Sequence, residues 1–165
     1  MCDHCGCREY GPIAELTDDH ERILALAWAV AESGRTGGRD AQAARADLAA
    51  LLEVHAEKEE IGLYPLLATT GDLGDEQRGA LEGEHRDLHR VLAGTAFDRR
   101  DYFALAAHIE EEETELFPWA MFGFDDEEWE AMTRAHHDAL HRCGVAHGHA
   151  AGPGPHDVSA VAATR

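Results

Sequence analysis

The residues best suited to chemistry form a motif that occurs twice in the chain. His55 is followed four residues later by Glu59, and His108 is followed four residues later by Glu112. In both copies a second glutamate comes next, and the motif ends in Leu-aromatic-Pro. On a helix, residues four apart lie on one face about 40° from each other, so each histidine and glutamate form a two-pronged ligand pair. Their repetition indicates a metal site.

Apolar residues at helical offsets surround both pairs, which turns the pairs toward a core. They are Leu48, Leu51, Leu52, Leu63 and Leu66 around the first pair, and Leu105 and Leu116 around the second. A buried carboxylate without a partner is strongly unfavourable. Glu59 and Glu112 therefore need either a shared cation or hydrogen-bonded partners. The alternative for each pair alone is a solvated, glutamate-rich helix face.

The elements that must position these residues are helices, and no window has the alternation of a strand. The predicted helices run from a cap at Thr17 to Gly34, from a cap at Asp40 to Pro65 or shortly after, over about 75–93, from about Asp101 to Phe117, and from an acidic cap at Asp125–Glu128 to about Arg142. The first four have short connections, which favour antiparallel neighbours. The sequence predicts an all-α, up-down-up-down four-helix bundle.

The predicted organisation has four parts. Residues 1–12 form a Cys-rich arm, residues 13–122 the bundle, residues 125–143 an additional C-terminal helix, and residues 144–165 a flexible tail rich in Gly, Pro, Ala and His.

Three further histidines point inward in this arrangement. His20 lies on the inner face of the first helix, and His85 and His89, four residues apart, share a stripe with leucines on the third. The candidate ligands are then five imidazoles and two carboxylates: His20, His55, Glu59, His85, His89, His108 and Glu112. Seven ligands are too many for one tetrahedral zinc. Mixed imidazole and carboxylate ligation suits two irons bridged by carboxylates roughly 3.5–4 Å apart, with manganese or a mixed pair as alternatives.

This order of ligands over four helices, with the doubled Glu-Glu-x-x-Leu-aromatic-Pro, resembles the hemerythrin-like domain, also called the HHE cation-binding domain. The resemblance covers about residues 13–120. It implies two non-haem iron ions with an oxo or hydroxo bridge, one held by His20 and His55 and the other by His85, His89 and His108. Glu59 and Glu112 would bridge them.

Two positions depart from the patterns of that family. The oxygen-carrying members place the second bridging carboxylate five residues after the histidine, which here is Glu113, whereas many bacterial relatives use four. The internal repeat favours Glu112. Many bacterial members also lack the second histidine of the third helix. His89 is included because its spacing from His85 puts both on one face.

Composition limits the partners. The chain carries 33 acidic and 14 basic residues, a formal charge of −19, and Lys58 is its only lysine. Nucleic acid is therefore an unsuitable partner. No stretch is long and apolar enough to cross a membrane, and the N-terminus does not resemble a secretory signal, so we expect a cytoplasmic protein.

Four cysteines stand outside the bundle pattern: Cys2, Cys5, Cys7 and Cys143. The first three, with His4 between them, could bind zinc, act as a thiol relay, or be exposed and redox-labile. Cys143, His136, His137 or His141 could complete such a site if the termini meet. The tail histidines are expected to bind metal only adventitiously.

Three functions fit these residues. The first is a binding protein for dioxygen or a related small ligand such as peroxide or nitric oxide. The second is an enzyme that breaks down peroxide or reduces nitric oxide, and the third is an iron-handling or iron-centre repair protein. Trp28, Phe103 and Phe117 are candidate walls of a dry pocket, and Tyr64 and Tyr102 are candidate hydrogen-bond donors to a bound ligand. A metal-free structural bundle is the remaining alternative.

Overall fold

The computed structural model describes residues 10–33, 39–94 and 97–145. Within these ranges the chain is helical apart from short turns and has no strand. The α-helices are α1 (Gly11–Ser33), α2 (Arg39–Lys58), α3 (Tyr64–Thr70), α4 (Asp75–Ala93), α5 (Arg99–Glu111), α6 (Phe117–Gly123) and α7 (Asp126–Arg142). Two π-helical turns, π1 (Glu59–Leu63) and π2 (Glu112–Leu116), join α2 to α3 and α5 to α6. None of these helices is long and apolar enough to span a membrane.

Helix α1 begins well before the predicted cap at Thr17, so that prediction was wrong. The Thr17 hydroxyl donates a 2.8 Å hydrogen bond to the Ile13 carbonyl oxygen one turn earlier, and does not cap. Pro12 lies in the first turn, where a missing N–H breaks no helical hydrogen bond. Ile13 and Leu16 are fully buried, so the extra turn is held by core packing.

Capping boxes start two of the later helices, α5 and α7. Helix α4 has the predicted bounds, and α7 follows the predicted cap at Asp125, which forms a capping box with Glu128. Helix α5 begins at Arg99, two residues before the predicted start. Its cap is Asp98, and the predicted first residue, Asp101, completes the capping box from inside the helix.

Both copies of the repeated motif contain a π-helical turn that begins at the candidate ligand glutamate. The Tyr64 N–H bonds to the Glu59 carbonyl oxygen, and the Phe117 N–H bonds to the Glu112 carbonyl oxygen, each five residues back. A proline follows each turn. Because proline has no N–H to donate, the wider turn lets the helix continue past it. The chain stays helical through Thr70 in the first copy and through Gly123 in the second, beyond the predicted end at Phe117.

Four long segments enclose the centre of the bundle. Helix α1 packs on α2 and α5, and α4 packs on the same two helices. Two apolar clusters form the core. One includes Ile13, Leu16, Leu63, Leu67, Leu116 and Phe117, and the other includes Ile23, Leu48, Leu52, Leu88, Leu105 and Ile109. The histidines and glutamates of the repeated motif lie between these clusters along the helices, so the polar residues form a layer inside an apolar interior.

Helix α7 packs on the outside of this bundle, against α2, π1 and α1. A Cβ atom added at Gly62 would lie 3.1 Å from the Ala135 Cβ atom of α7. Gly62 therefore permits the close approach of the two elements.

Enlarging Gly62 is expected to destabilise the protein. We predict that Gly62→Val lowers the free energy of unfolding by about 2 kcal/mol, since overpacking typically costs about 1–3 kcal/mol. The matched control is Gly79→Val in α4, where a Cβ atom meets nothing within 4 Å. Urea denaturation measures both, and equal effects would contradict the close packing of α7.

Candidate metal centre

Six of the seven sequence-predicted ligands meet in the centre of the bundle. All six are buried, with at most 4% of the residue exposed: His20, His55, Glu59, His85, His108 and Glu112. They form two groups whose ligating atoms lie within 4.8 Å of one another. The His20 half contains His20 and His55, the His85 half contains His85 and His108, and both glutamates belong to each half.

The two glutamates lie between the halves and present one oxygen to each. Glu59 Oε1 is 3.3 Å from His55 Nε2, and Glu59 Oε2 is 3.3 Å from His85 Nε2. Glu112 Oε2 is 3.3 Å from His20 Nε2, and Glu112 Oε1 is 3.3 Å from His108 Nε2. This is the arrangement that two carboxylates need to bridge a pair of cations.

The inner histidine nitrogens and carboxylate oxygens are arranged to bind cations. The Nε2 atoms of His20 and His55 are 3.0 Å apart, and so are those of His85 and His108. A carboxylate faces the Nδ1 atoms of His20, His85 and His108 at hydrogen-bond distance, which favours a proton on Nδ1 and leaves Nε2, on the inner side, to bind a cation. Glu59 Oε1 and Glu112 Oε2 have no hydrogen-bond partner. Converging lone pairs and orphaned buried oxygens call for cations.

An outer set of carboxylates orients the imidazoles, and sequence reasoning did not assign it. Glu113 Oε1 is 3.0 Å from His20 Nδ1, and Glu60 Oε1 is 3.0 Å from His85 Nδ1. Glu84 Oε2 is 2.7 Å from His108 Nδ1. Asp19 Oδ2 stands 3.9 Å from His55 Nδ1, beyond hydrogen-bond distance.

The signal for this outer set was present in the sequence. Glu60 and Glu113 are the second residues of the two Glu-Glu pairs, and Asp19 and Glu84 directly precede His20 and His85. Glu113, the alternative bridging residue, thus faces the outer nitrogen of His20 and belongs to neither group of converging ligand atoms.

Tyr64 places its hydroxyl inside the site. It donates a 2.6 Å hydrogen bond to Glu112 Oε1, and its ring stacks on His85. Burial, and then the nearby Glu112 and Glu59 carboxylates, raise the pKa of Tyr64 well above its usual value, so the hydroxyl keeps its proton. Phe117 occupies the equivalent position in the repeat and stacks on His20 without a hydroxyl.

The other candidate aromatic residues lie elsewhere. Trp28 is 42% exposed and Phe103 is 61% exposed, so the prediction that they wall the site was wrong. Both contact Tyr102 at the surface. The helical pattern could not distinguish their apolar but outward positions from a core position.

His89 lies outside both groups and is half-exposed. It sits one turn beyond His85 along α4, where Leu88 is buried and faces the core. Helix α1 offers a comparison, because His20 occupies the place in α1 that His85 occupies in α4. The residue four positions after His20 is Leu24, which packs against an apolar cluster and corresponds to His89. The position of His89 is therefore at the edge of the bundle, away from the converging ligand atoms.

Without metal, protons would take the place of cations. Burial by itself lowers the pKa of His20, but Glu112 and Glu113 outweigh it and raise that pKa to about 10. His85 has the same balance, with Glu59 and Glu60 raising its pKa to about 10. The imidazoles and Glu112 are mutually stabilising, because the nearby histidines lower the pKa of Glu112 despite its burial.

These pKa shifts predict a pH dependence for the metal-free protein. A folded pKa of about 10 against about 6.5 when unfolded gives stability that is complete below pH 6.5 and lost as the pH rises through 10. We expect the free energy of unfolding to fall by about 3 kcal/mol or more across this window. Denaturation in the presence of chelator measures it. The slope should disappear in His20→Gln/His85→Gln, and stability that rises with pH would contradict the prediction.

Of the four cysteines, the structure describes Cys143. Cys2, Cys5 and Cys7 lie outside the described residues. Cys143 follows α7 and is half-buried, and burial, Glu53 and Glu57 raise the pKa of its thiol. His136 is buried with its Nδ1 atom 3.0 Å from Glu15 Oε2.

Comparison with known proteins gives one match. The model of the hemerythrin HHE cation binding domain matches residues 11–120. No curated protein and no solved structure matches the chain. The family match covers more than half of the 165 residues, contains all six converging residues and ends before α7. This chain therefore belongs to the hemerythrin HHE cation-binding family.

Proposed function

We propose that the chain is a non-haem di-iron protein that binds dioxygen or a related small ligand, such as peroxide or nitric oxide. The observation that carries this proposal is the pair of four-donor groups that share Glu59 and Glu112. His20 and His55 would hold one iron, His85 and His108 the other, and the two glutamates would bridge them. Mixed imidazole and carboxylate donors favour iron, with manganese as the alternative.

The proposal includes the up-down-up-down order of the four long helices. It is supported by the packing of α1 on α2 and α5 and of α4 on the same two helices. This order brings the two copies of the motif to the same level of the bundle.

The protein contributes a dry, oriented environment. The iron pair would supply electrons and open coordination positions, while carboxylates on the outer nitrogens of three histidines keep their inner nitrogens free. Phe117 and Leu116 are buried beside the site and help to exclude water.

Tyr64 adds a hydroxyl hydrogen-bond donor to this environment. Its hydroxyl oxygen is 2.6 Å from Glu112 Oε1 and 3.5 Å from Glu59 Oε2, between the two shared carboxylates. A ligand bound beside these carboxylates is within reach of this donor.

A second candidate is an oxidoreductase that breaks down peroxide or reduces nitric oxide. The observation in its favour is that His89 lies outside both groups, so each half has two imidazoles. The resemblance to oxygen carriers implied five ligating histidines. With four, neither half is closed by a third imidazole, and both halves stay open to substrate.

The test is the metal content and the ultraviolet–visible spectrum of anaerobically reduced protein before and after oxygen is added. Two irons per chain with a spectrum that oxygen changes and deoxygenation restores would support the binding function. Two irons with an irreversible change and rapid peroxide or nitric oxide consumption would support the second candidate. Iron that is bound but released to thiols or nitric oxide would indicate iron handling. A chain without iron or manganese would refute the site.

Tyr64→Phe tests the hydrogen-bond donor within the same experiment. The ligand-bound spectrum, or the peroxide turnover, should change in this variant while metal content stays at the wild-type level. Tyr102→Phe is the matched control, because Tyr102 contacts Trp28 and Phe103 away from the site.

A further inference from the structure

Lys58, the only lysine of the chain, is buried next to the candidate metal centre. The residue is 5% exposed, and it is the one buried lysine or arginine among the described residues. Its Nζ atom is 2.7 Å from Asp19 Oδ2 and 3.8 Å from Glu15 Oε2. A buried ammonium is strongly unfavourable unless its charge is compensated, so its position is set by these carboxylates.

His55 differs from the other three histidines in the surroundings of its outer nitrogen, Nδ1. His20, His85 and His108 each have a carboxylate oxygen within 3.0 Å of the Nδ1 atom. His55 Nδ1 has no hydrogen-bond partner, and the nearest carboxylate, Asp19, is 3.9 Å away. Asp19 instead directs the same oxygen, Oδ2, to Lys58.

The internal repeat shows what changes at this point. Asp19 precedes His20 as Glu84 precedes His85, but Glu84 reaches the His108 Nδ1 atom at 2.7 Å. Lys58 lies three residues after His55, and the equivalent residue after His108 is Glu111, an acid. In the His20 half, the carboxylate beside the outer nitrogen of His55 is a shorter aspartate that is paired with Lys58. In the His85 half, the corresponding carboxylate is the longer Glu84, and an acid stands in place of the lysine.

We propose that Lys58 is a positioning residue that holds the Asp19 carboxylate away from His55 and so makes the two halves of the metal centre unequal. This inference rests on the proposed di-metal function. A carboxylate on the outer nitrogen of a ligating histidine fixes the ring and raises its basicity. His55 lacks that support, so the His20 half binds its ion more weakly than the His85 half does.

The first experiment needs no metal. Nitrogen-15 NMR of the metal-free full-length chain, with His55 assigned by His55→Gln, reports whether its Nδ1 proton is hydrogen-bonded. We expect a weakly bonded proton in the wild type and in Lys58→Arg, which keeps the charge. In Lys58→Met, Asp19 loses its short ion pair and, among the described lysines and arginines, keeps only the exposed Arg22, 3.5 Å from Oδ1. Asp19 Oδ2 is then free to turn to His55, whose Nδ1 proton should acquire the downfield shift of a carboxylate-bonded imidazole, as at His108. An unchanged His55 resonance in folded Lys58→Met would overturn the inference.

The second experiment measures Co²⁺ binding by the full-length chain in a stepwise titration. Lys58→Met should bind the weaker ion about tenfold more tightly, as expected for one added supporting carboxylate. The gain should vanish in Lys58→Met/Asp19→Asn, because Asp19 is the group that moves. Glu84→Gln gives the scale, with a loss of about 10–100-fold.

These measurements separate the inference from the proposed function. If the wild type binds no Co²⁺, iron or manganese, the proposed function fails, while the NMR comparison still tests Lys58. If Lys58→Met binds Co²⁺ normally but with unchanged or lower affinity, the positioning role is wrong and the metal centre stands. If Lys58→Met does not fold, Asp19→Asn decides. It should weaken Co²⁺ binding much less than Glu84→Gln does, and equal losses would overturn the inference.

Discussion

Removing metal from the protein is expected to lower its melting temperature by roughly 8–16 °C. An ion present at about 1,000 times its Kd stabilises the folded state by about 4 kcal/mol. In a domain of this size each kcal/mol shifts the melting temperature by about 2–4 °C. The physical reason is burial. Without cations, protons on His20 and His85 are what remains to balance the buried Glu59 and Glu112 carboxylates, and Glu59 Oε1 and Glu112 Oε2 have no hydrogen-bond partner.

The measurement is thermal unfolding followed by circular dichroism, with metal-loaded and chelator-treated protein at the same pH. Glu59→Gln/Glu112→Gln is the control, since a chain without the bridging carboxylates should not respond to chelator. A wild-type protein that keeps its melting temperature and its helices after complete metal removal would be a structural bundle that needs no metal, contrary to the proposal.

Six of the seven predicted ligands converge because their positions follow the periodicity of a helix. The four-residue spacing of His55 with Glu59 recurs at His108 with Glu112, and apolar residues at helical offsets fix the face. That information is local, and the structure brings these four residues together with His20 and His85. His89 has the same local spacing, but it lies one turn further along α4 and outside the converging atoms.

The partners of the outer carboxylates depend on contacts between distant parts of the chain. Helical periodicity does not predict these contacts. The pairing of Glu84 with His108 requires the packing of α4 on α5, and the pairing of Lys58 with Asp19 requires that of α1 on α2. Tyr64 was a candidate donor, but its position between two carboxylates depends on the π-helical turn before it. The composition of five residues does not indicate such a turn, so the sequence did not predict that the helix continues as far as Thr70 in the first copy and Gly123 in the second.

Replacing Glu112 with glutamine is expected to abolish binding of the second metal ion. The change keeps the size of the side chain but removes the negative charge and the second anionic oxygen with which a carboxylate can bridge two cations. Both Glu112 oxygens are within 3.3 Å of an inner histidine nitrogen, one in each half of the site. Metal analysis of the purified protein, with Co²⁺ titration, measures the loss.

Glu113→Gln is the matched control, since it makes the same chemical change one residue later. Glu113 accepts from the outer nitrogen of His20, so its loss removes support from one ligand and leaves both bridges in place. We expect both ions to bind at saturation, with affinity lowered by about 10–100-fold. The four-residue spacing and the five-residue spacing of the bridging glutamate thus predict opposite outcomes. If Glu113→Gln loses the second ion while Glu112→Gln keeps it, the bridge lies at Glu113 and the helix must rotate when metal binds.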